Sequence, residues 1–419
     1  MKPHLFESDM KENILHCDAN NFYASVEMAK DPSLVGKNIA VCGDPQKRHG
    51  IILAKSEGAK LLGVKTGQTI REAKDLCPDL ILIPPDFPSY VKYSKSLFEL
   101  YTSYTDRVES FGLDECWLDV SGSHKLFGSS EHIAEELRRR AKEELGITIS
   151  VGISFTKVFA KLGSDYKKPD AQTLISRENY REIAWKLPVK DILMVGTGAY
   201  SFFRSVGIRT IGDLAQADRD LLSTKLGKMG LSLCEWANGE DDSPVKLYYE
   251  TRKPESVGNG STAESDLTTR EQCSRLITSL SERVATRLRR REMLSCGVHL
   301  QIKSNTMTTR GKQMRLPAPT ASATDLKNYA MILLDELWKQ GSSLPVRAIT
   351  LTAIYLIGSD DYVPTSLFDE SENLGKHTRL ERSIDKIRDK YGFDIIRRGN
   401  LITEKDDEYD EESKPFKRQ

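Results

Sequence analysis

The sequence predicts an α+β chain built of several domains, and three observations predict it. At 419 residues the chain exceeds what one small core organises. Up to about Leu187 short apolar strand patterns alternate with helical ones, which indicates an α/β or α+β layer. Beyond that point the texture changes twice, and the charge is unevenly shared. The formal net charge is zero, yet residues 251–358 carry sixteen Lys/Arg against nine Asp/Glu, a net +7. A basic segment in a neutral chain suits a domain that meets a polyanion, or equally a solvated charged face.

The elements follow in order. Asn13 to Cys17 reads as a strand, Phe22 to Met28 as a helix and Asn38 to Cys42 as a second strand. Ile51 to Ala54 and Leu80 to Ile83 read as strands around helical stretches at Lys55 to Leu62 and Ile70 to Leu76. A long helix is predicted from Ser89 to about Val108, then a strand pair, a charged helix Glu131 to Leu145 and a strand Ile147 to Ser154. From Leu187 to Asn238 short helices are joined by Gly-bearing turns, and Gly239-Glu-Asp-Asp-Ser-Pro244 marks a boundary. Beyond it lie a basic helix Glu271 to Arg291, strands Ser295 to Ser304 and Arg347 to Ile357, and a helix Ala323 to Gln340. A mixed-charge helix Thr378 to Tyr391 precedes an acidic end predicted to be disordered.

Composition excludes several classes. No apolar run approaches the ~20 residues that span a bilayer, and no secretory signal pattern opens the chain, so a cytoplasmic protein is expected. The seven cysteines are widely spaced with no Cys-x-x-Cys pair, which argues for small core residues over disulfides or a thiolate metal site.

The unusual feature is a run that interrupts its own burial: Ser110-Phe-Gly-Leu-Asp-Glu-Cys-Trp-Leu-Asp-Val120 places Asp114 and Glu115 inside an apolar stretch. Buried carboxylates need a cation, either Lys/Arg or a divalent metal. Asp18 ends the first apolar strand and supplies a third acid; Mg²⁺ suits such a set, because it takes a few hard oxygens and keeps positions for phosphates. Taken singly, Asp18 reads at least as well as a cap for the helix near Phe22. In the same way Val195-Gly-Thr-Gly-Ala199 reads either as a phosphate-approaching hairpin through Gly196 and Gly198 or as a plain corner between helices.

Three stretches together are more specific. Asp18-Ala-Asn-Asn-Phe-Tyr-Ala-Ser-Val-Glu27, the run Ser110 to Val120, and Gly152 to Pro169 resemble, in order and spacing, the core motifs of Y-family translesion DNA polymerases of the DNA polymerase IV or UmuC-like type, over about residues 13–358. The resemblance implies a right-hand polymerase: a ferredoxin-like palm (1–37 and 89–186), small fingers (38–88), a helical thumb (187–243), a linker (244–252), a separate α+β little finger (253–360) and a tail (361–419). It implies template-directed, low-fidelity DNA synthesis without proofreading, in damage tolerance, on primer-template DNA and deoxynucleoside triphosphates, by a cytoplasmic, nucleoid-associated monomer. Asp18, Asp114 and Glu115 match the catalytic acids, holding two Mg²⁺ with the carbonyl of Ala19. Tyr23 matches the steric gate against ribonucleotides, and Phe22, Lys60 and Lys168 match nucleotide-binding positions. Gly196, Gly198, Arg289, Arg290 and Arg291 are the expected DNA contacts.

The chain departs from the family pattern in the fingers. Ala54, Glu57 and Lys60 stand where Thr, Tyr and Arg usually meet the triphosphate; Glu57 would repel it unless paired, and Lys55 or Ser56 is the available substitute. Ser366-Leu367-Phe368 resembles the end of a sliding-clamp peptide without its glutamine, and reads equally as an exposed apolar turn. A catalytically impaired DNA-binding accessory protein and a palm-type nucleotide cyclase are the rival readings; the cyclase has no use for the basic second unit.

Overall fold

The computed structural model describes residues 13–44, 50–250, 253–361, 371–396 and 398–399, in two compact units, Met1–Thr251 and Arg252–Gln419. The first unit carries strands β1 (Ile14–Ala19), β2 (Ile39–Cys42), β3 (Ile52–Lys55), β4 (Ile81–Ile83), β5 (Val108–Ser110), β6 (Glu115–Asp119), β7 (Ile149–Ser154) and β8 (Gln172–Ile175). Its helices are α1 (Phe22–Lys30), α2 (Glu57–Leu61), α3 (Ile70–Leu76), α4 (Phe87–Thr102), α5 (His124–Phe127), α6 (Ser130–Leu145), α7 (Lys157–Tyr166) and α8 (Tyr180–Ile183), followed by α9 (Thr197–Ser205), α10 (Ile211–Ala215), α11 (Arg219–Leu226) and α12 (Lys228–Ala237).

The main sheet runs β5-β6-β1-β7-β8. Strand alternation sends Leu15 and Cys17 to one face, where they join Ile133, Ala134, Leu137 and Ala141 of α6 in the largest core of this unit. Helix α6 starts where Ser129 accepts a bond from His132 N and stops at Gly146, whose φ of 68° is a left-handed C-cap. The other face of β1 carries His16 and Asp18, and α7 lies across it. This crossing is unusually close: a Cβ on Gly152 of β7 would sit 1.8 Å from the Ala160 carbonyl oxygen, and one on Gly163 of α7 only 3.0 Å from Gly152 Cα. Only glycine at 152 lets backbone meet backbone there, and at 163 a Cβ would be tighter than ordinary contact.

Beside the main sheet a small one, β3-β2-β4, has its own core of Ala40, Cys42, Ile52, Ala59, Val64, Ala73, Cys77 and Leu80. Helices α9 to α12 pack with α7 through Phe159, Phe203, Leu214 and Leu233. Two boundaries differ from expectation. Lys55 belongs to β3, because Ser56 starts α2 by accepting from Ala59 N. Helix α4 begins at Phe87 under an Asp86 cap and ends at Thr102, and Val108 pairs with Leu118 as a strand instead of closing the helix.

The second unit holds β9 (Ser256–Leu267), α13 (Arg270–Arg290), β10 (Met293–Ser304), β11 (Thr309–Thr320), α14 (Ala323–Leu337), β12 (Val346–Gly358) and α15 (Ser371–Tyr391). Its antiparallel sheet runs β11-β10-β12-β9, with a core shared by α13, α14 and the inner faces of the strands. The sequence pattern does not announce β9 and β11, and both are edge strands: β9 is mostly polar, with Val257, Ala263 and Leu267 as its only apolar side chains, and β11 contains Pro317 and Pro319, which edges tolerate. Helix α15 is longer than predicted and is fastened to α13 by ion pairs, Arg289 to Glu381 and Asp385 at 2.7 and 2.6 Å and Arg388 to Glu282 at 2.8 Å, and to the start of α14 by a hydrogen bond from Ala323 N to Glu381 Oε1 at 3.0 Å. The acidic end beyond residue 400 lies outside the described residues. All seven cysteines are free, six of them buried, as their spacing implies.

Candidate active site

The three acids converge because β1 and β6 are antiparallel neighbours with Asp18 opposite Glu115, and Ala19 N donates to the Asp114 carbonyl oxygen at 3.0 Å. A pair of strand ends thus presents carboxylates from positions nearly a hundred residues apart. Asp18 is buried and does not cap α1: that N-cap is Asn21, in the left-handed region at φ 48°. Asn20 braces the neighbouring loop, accepting from Thr148 Oγ1 and from Asp170 N.

Asp18, Ala19, Phe22, Tyr23, Asp114, Glu115 and Lys168 all line one cavity, together with Leu53, Ala54, Lys55 and Thr66 of the small-sheet region. Two lysines neutralise two of the acids: Lys168 Nζ lies 2.6 Å from Asp18 Oδ2 and Lys161 Nζ 2.5 Å from Glu115 Oε2. Burial lifts the Asp18 carboxyl to about 7, with Lys168 drawing it back. Burial and the neighbouring Glu115 charge raise Asp114 as well. Burial works against Glu115 too, but the close approach of His16 and the hydrogen bond and charge of Lys161 outweigh it and hold this group down at about 2.

Sequence reasoning missed His16, although it stands two residues before Asp18 and therefore on the same strand face. It is fully buried, its Nδ1 2.8 Å from Ser164 Oγ and its Nε2 3.3 Å from Glu115 Oε2. Burial lowers its pKa to about 4, so it is neutral. His16, Asp18 and Glu115 offer ligand atoms within 4.8 Å of one another; Asp114 borders the same cavity. Clustered hard carboxylate oxygens, two of them with raised pKa, are a donor set that fits a divalent cation.

Tyr23 forms a stiff wall. Its ring stacks on Tyr90 at 4.2 Å and 12°, and meets Phe87 edge-on at 6.1 Å. Tyr90 is fixed in turn by donating to Glu27 Oε1 at 2.7 Å.

Other predicted residues lie elsewhere. Lys60 is exposed, is not part of the cavity wall and pairs with Glu57 at 3.2 Å, while Glu57 also accepts from Asn21 Nδ2 at 3.0 Å. Glu57 is therefore paired. Gly196 caps α9 and Gly198 lies in its first turn, and a Cβ on either meets only open space. Arg289 differs from expectation: its side chain is largely covered, with its guanidinium spent on Asp385, Glu381, Thr286 and the Ala321 carbonyl oxygen, so it fastens α15 and is not displayed to a polyanion. Arg290 is exposed and paired with Asp389; Arg291 is exposed at the end of α13. Ser366, Leu367 and Phe368 lie outside the described residues.

Comparison with known proteins agrees with this geometry. Residues 17–165 match the impB/mucB/samB family and residues 254–367 its C-terminal domain. The chain is 43% identical over 396 residues to the DNA polymerase IV of Acetivibrio thermocellus, covering 94% of this chain and 99% of that protein. It is 36% identical over 395 residues to the DNA polymerase IV of Bacillus velezensis, covering 93% of each. A solved Y-family DNA polymerase chimera of Dbh and Dpo4 shares the fold, with a TM-score of 0.72 at 22% identity, over 82% of this chain and 99% of that one.

Proposed function

The chain belongs to the impB/mucB/samB family, and from that premise we propose how its residues carry out template-directed DNA synthesis. It is a DNA-directed DNA polymerase of the low-fidelity, translesion type, acting on primer-template DNA and deoxynucleoside triphosphates with a divalent metal. The observation that carries the residue assignment is the convergence of Asp18, Asp114, Glu115, Tyr23 and Lys168 on one cavity.

Asp18, Asp114, Glu115 and the Ala19 carbonyl would hold two Mg²⁺ ions. When bound, these lower the pKa of the primer 3′-hydroxyl and neutralise the triphosphate. The residues do the rest. His16, neutral and anchored by Ser164, holds Glu115 in place. Lys168, on the cavity wall, offers a point charge to the phosphates. Phe22 and Tyr23 face the sugar, and the backing of Tyr23 by Tyr90 and Phe87 leaves the ring no easy retreat from a 2′-hydroxyl. The main sheet serves as palm, the small sheet as fingers, α9 to α12 as a thumb whose Gly196 and Gly198 admit the DNA backbone, and the second unit as little finger, with Arg290 and Arg291 toward the duplex. Ser366-Leu367-Phe368 tethers a cytoplasmic monomer to the sliding clamp.

Purified protein is expected to extend a primed template in Mg²⁺ and to stop in chelator; failure of the intact protein to extend overturns the reading. Tyr23→Ala is expected to admit ribonucleotides on the order of 10²-fold more readily relative to deoxynucleotides, since relief of a steric clash acts through differential transition-state binding; unchanged discrimination removes Tyr23 from the gate.

A further inference from the structure

We propose that Lys55, and not Lys60, is the cation through which the small-sheet region grips the triphosphate of the incoming nucleotide; this rests on the polymerase reading above and assigns a residue within it. Lys55 ends β3, in register with Ala40 of β2, and shares the cavity wall with the three acids and Lys168. Its ammonium donates to Thr66 Oγ1 at 3.2 Å, and the Thr66 hydroxyl donates onward to the Leu53 carbonyl oxygen at 3.4 Å. The partner of Lys55 is thus a neutral hydroxyl, where the other cations near the site already hold carboxylates. Lys161 holds Glu115, Lys168 holds Asp18 and Asp165, and Lys60 holds Glu57.

Among the described residues no carboxylate is ion-paired with Lys55, the Glu57 charge acting on it only from a distance, and a half-buried ammonium in that position bears a desolvation cost that an entering polyanion relieves. Burial and the nearby Lys60 charge depress its pKa, in keeping with that cost. Ser56, the other candidate, is spent: its buried hydroxyl oxygen accepts from Ile39 N and Ala59 N. Lys60 cannot turn to the phosphates without abandoning Glu57, whose remaining hydrogen-bond partner is the neutral Asn21 amide. A lysine supplies charge without the fixed fork of an arginine, so it engages any phosphate oxygen within reach.

The test measures binding apart from chemistry. Protein is assembled on a primer-template whose primer lacks a 3′-hydroxyl, and the complementary deoxynucleoside triphosphate is titrated in Mg²⁺. Lys55→Met is expected to weaken nucleotide binding at least tenfold with melting temperature and primer-template affinity unchanged, Lys55→Arg to restore it to within threefold, and Lys60→Met to shift it less than threefold. A Lys55→Met protein that is folded and binds nucleotide within threefold of the parent overturns the assignment, as does a Lys60→Met loss equal to or larger than that of Lys55→Met. If the intact protein binds no deoxynucleotide on primed DNA, the polymerase reading falls and the assignment falls with it; parental binding with a changed rank among the variants overturns the assignment alone.

Discussion

Two clusters of buried carboxylates and cations sit in this chain, built from different bases. At the cavity, Asp18 and Glu115 are met by lysines, whose side chains remain 24% and 17% exposed. In the second unit, Glu282, Glu381 and Asp385 are met by arginines, and Arg289 and Arg388 are only 8% and 4% exposed. Arg289 makes a two-pronged contact with Asp385 and spends its remaining donors on Glu381, Thr286 and Ala321. The lysines are point charges shared between carboxylates, Lys168 between Asp18 and Asp165 and Lys161 close to Glu115 with Asp165 farther off at 3.9 Å. A fork saturated with hydrogen bonds is a fastening, whereas a point charge at the mouth of a cavity is a counterion that other cations displace. The comparison teaches that burial of charge alone does not mark a functional site; the geometry of the counterion does.

The sharpest way to break this contrast is to neutralise one member of each cluster. Asp114→Asn is expected to cut primer extension by on the order of 10³-fold or more, as loss of one member of a concerted catalytic set does. The melting temperature should hold or rise, because the change removes a buried charge repelled by Glu115. Arg289→Ala should do the reverse. Stranding Glu381 and Asp385 is expected to cost about 3–5 kcal/mol of stability in denaturant titrations, the usual penalty for breaking a buried pair, while residual folded protein extends primers at the parental rate. Arg289→Lys keeps the charge and loses the fork, with an expected cost of about 1–2 kcal/mol.

The smallest effect is one of pH. Asp18 titrates at about 7 in the fold against an ordinary 3.8. The folded protein therefore holds a proton that the unfolded chain has released, and this contribution to stability, full below about 4, is lost as the pH rises through 7. Glu115, held at about 2 against an ordinary 4.5, contributes with the opposite sign: its stabilisation is present above 4.5 and lost as the pH falls through 2. In chelator the melting temperature should decline between pH 5 and 8, and Asp18→Asn should flatten that limb; an unaltered slope in the variant assigns the decline to another group.

How far the sequence alone reaches follows the same physics. Asp18, Asp114 and Glu115 were legible because carboxylates interrupting apolar strands demand an explanation, and the palm strands β1, β6 and β7 because they are buried and apolar. His16 was hidden by its own strand: a histidine within an apolar run looks like core, and only the alternation linking it to Asp18 gave a signal. The edge strands β9 and β11 were hidden because an edge needs neither dense apolar patterning nor every N–H, so Gly, Ser and Pro are at home there. Arg289 looked like its neighbours Arg290 and Arg291; what separates it is contact with residues some ninety positions later, which local pattern does not encode.

The crossing of Gly152 and Gly163 limits how this site can change. Where two side chains meet, a larger residue on one side is accommodated by a smaller one on the other, and sequences drift through such paired exchanges. Here a Cβ on Gly152 would meet backbone atoms of Ala160 and Ser164, which no substitution trims, so no second-site suppressor is available at the contact itself. The helix that carries Lys161 and Ser164, and that ends just before Lys168, is thereby held at one depth against Asp18 and Glu115. A selection for revertants of Gly152→Ala should return glycine at that position and little else.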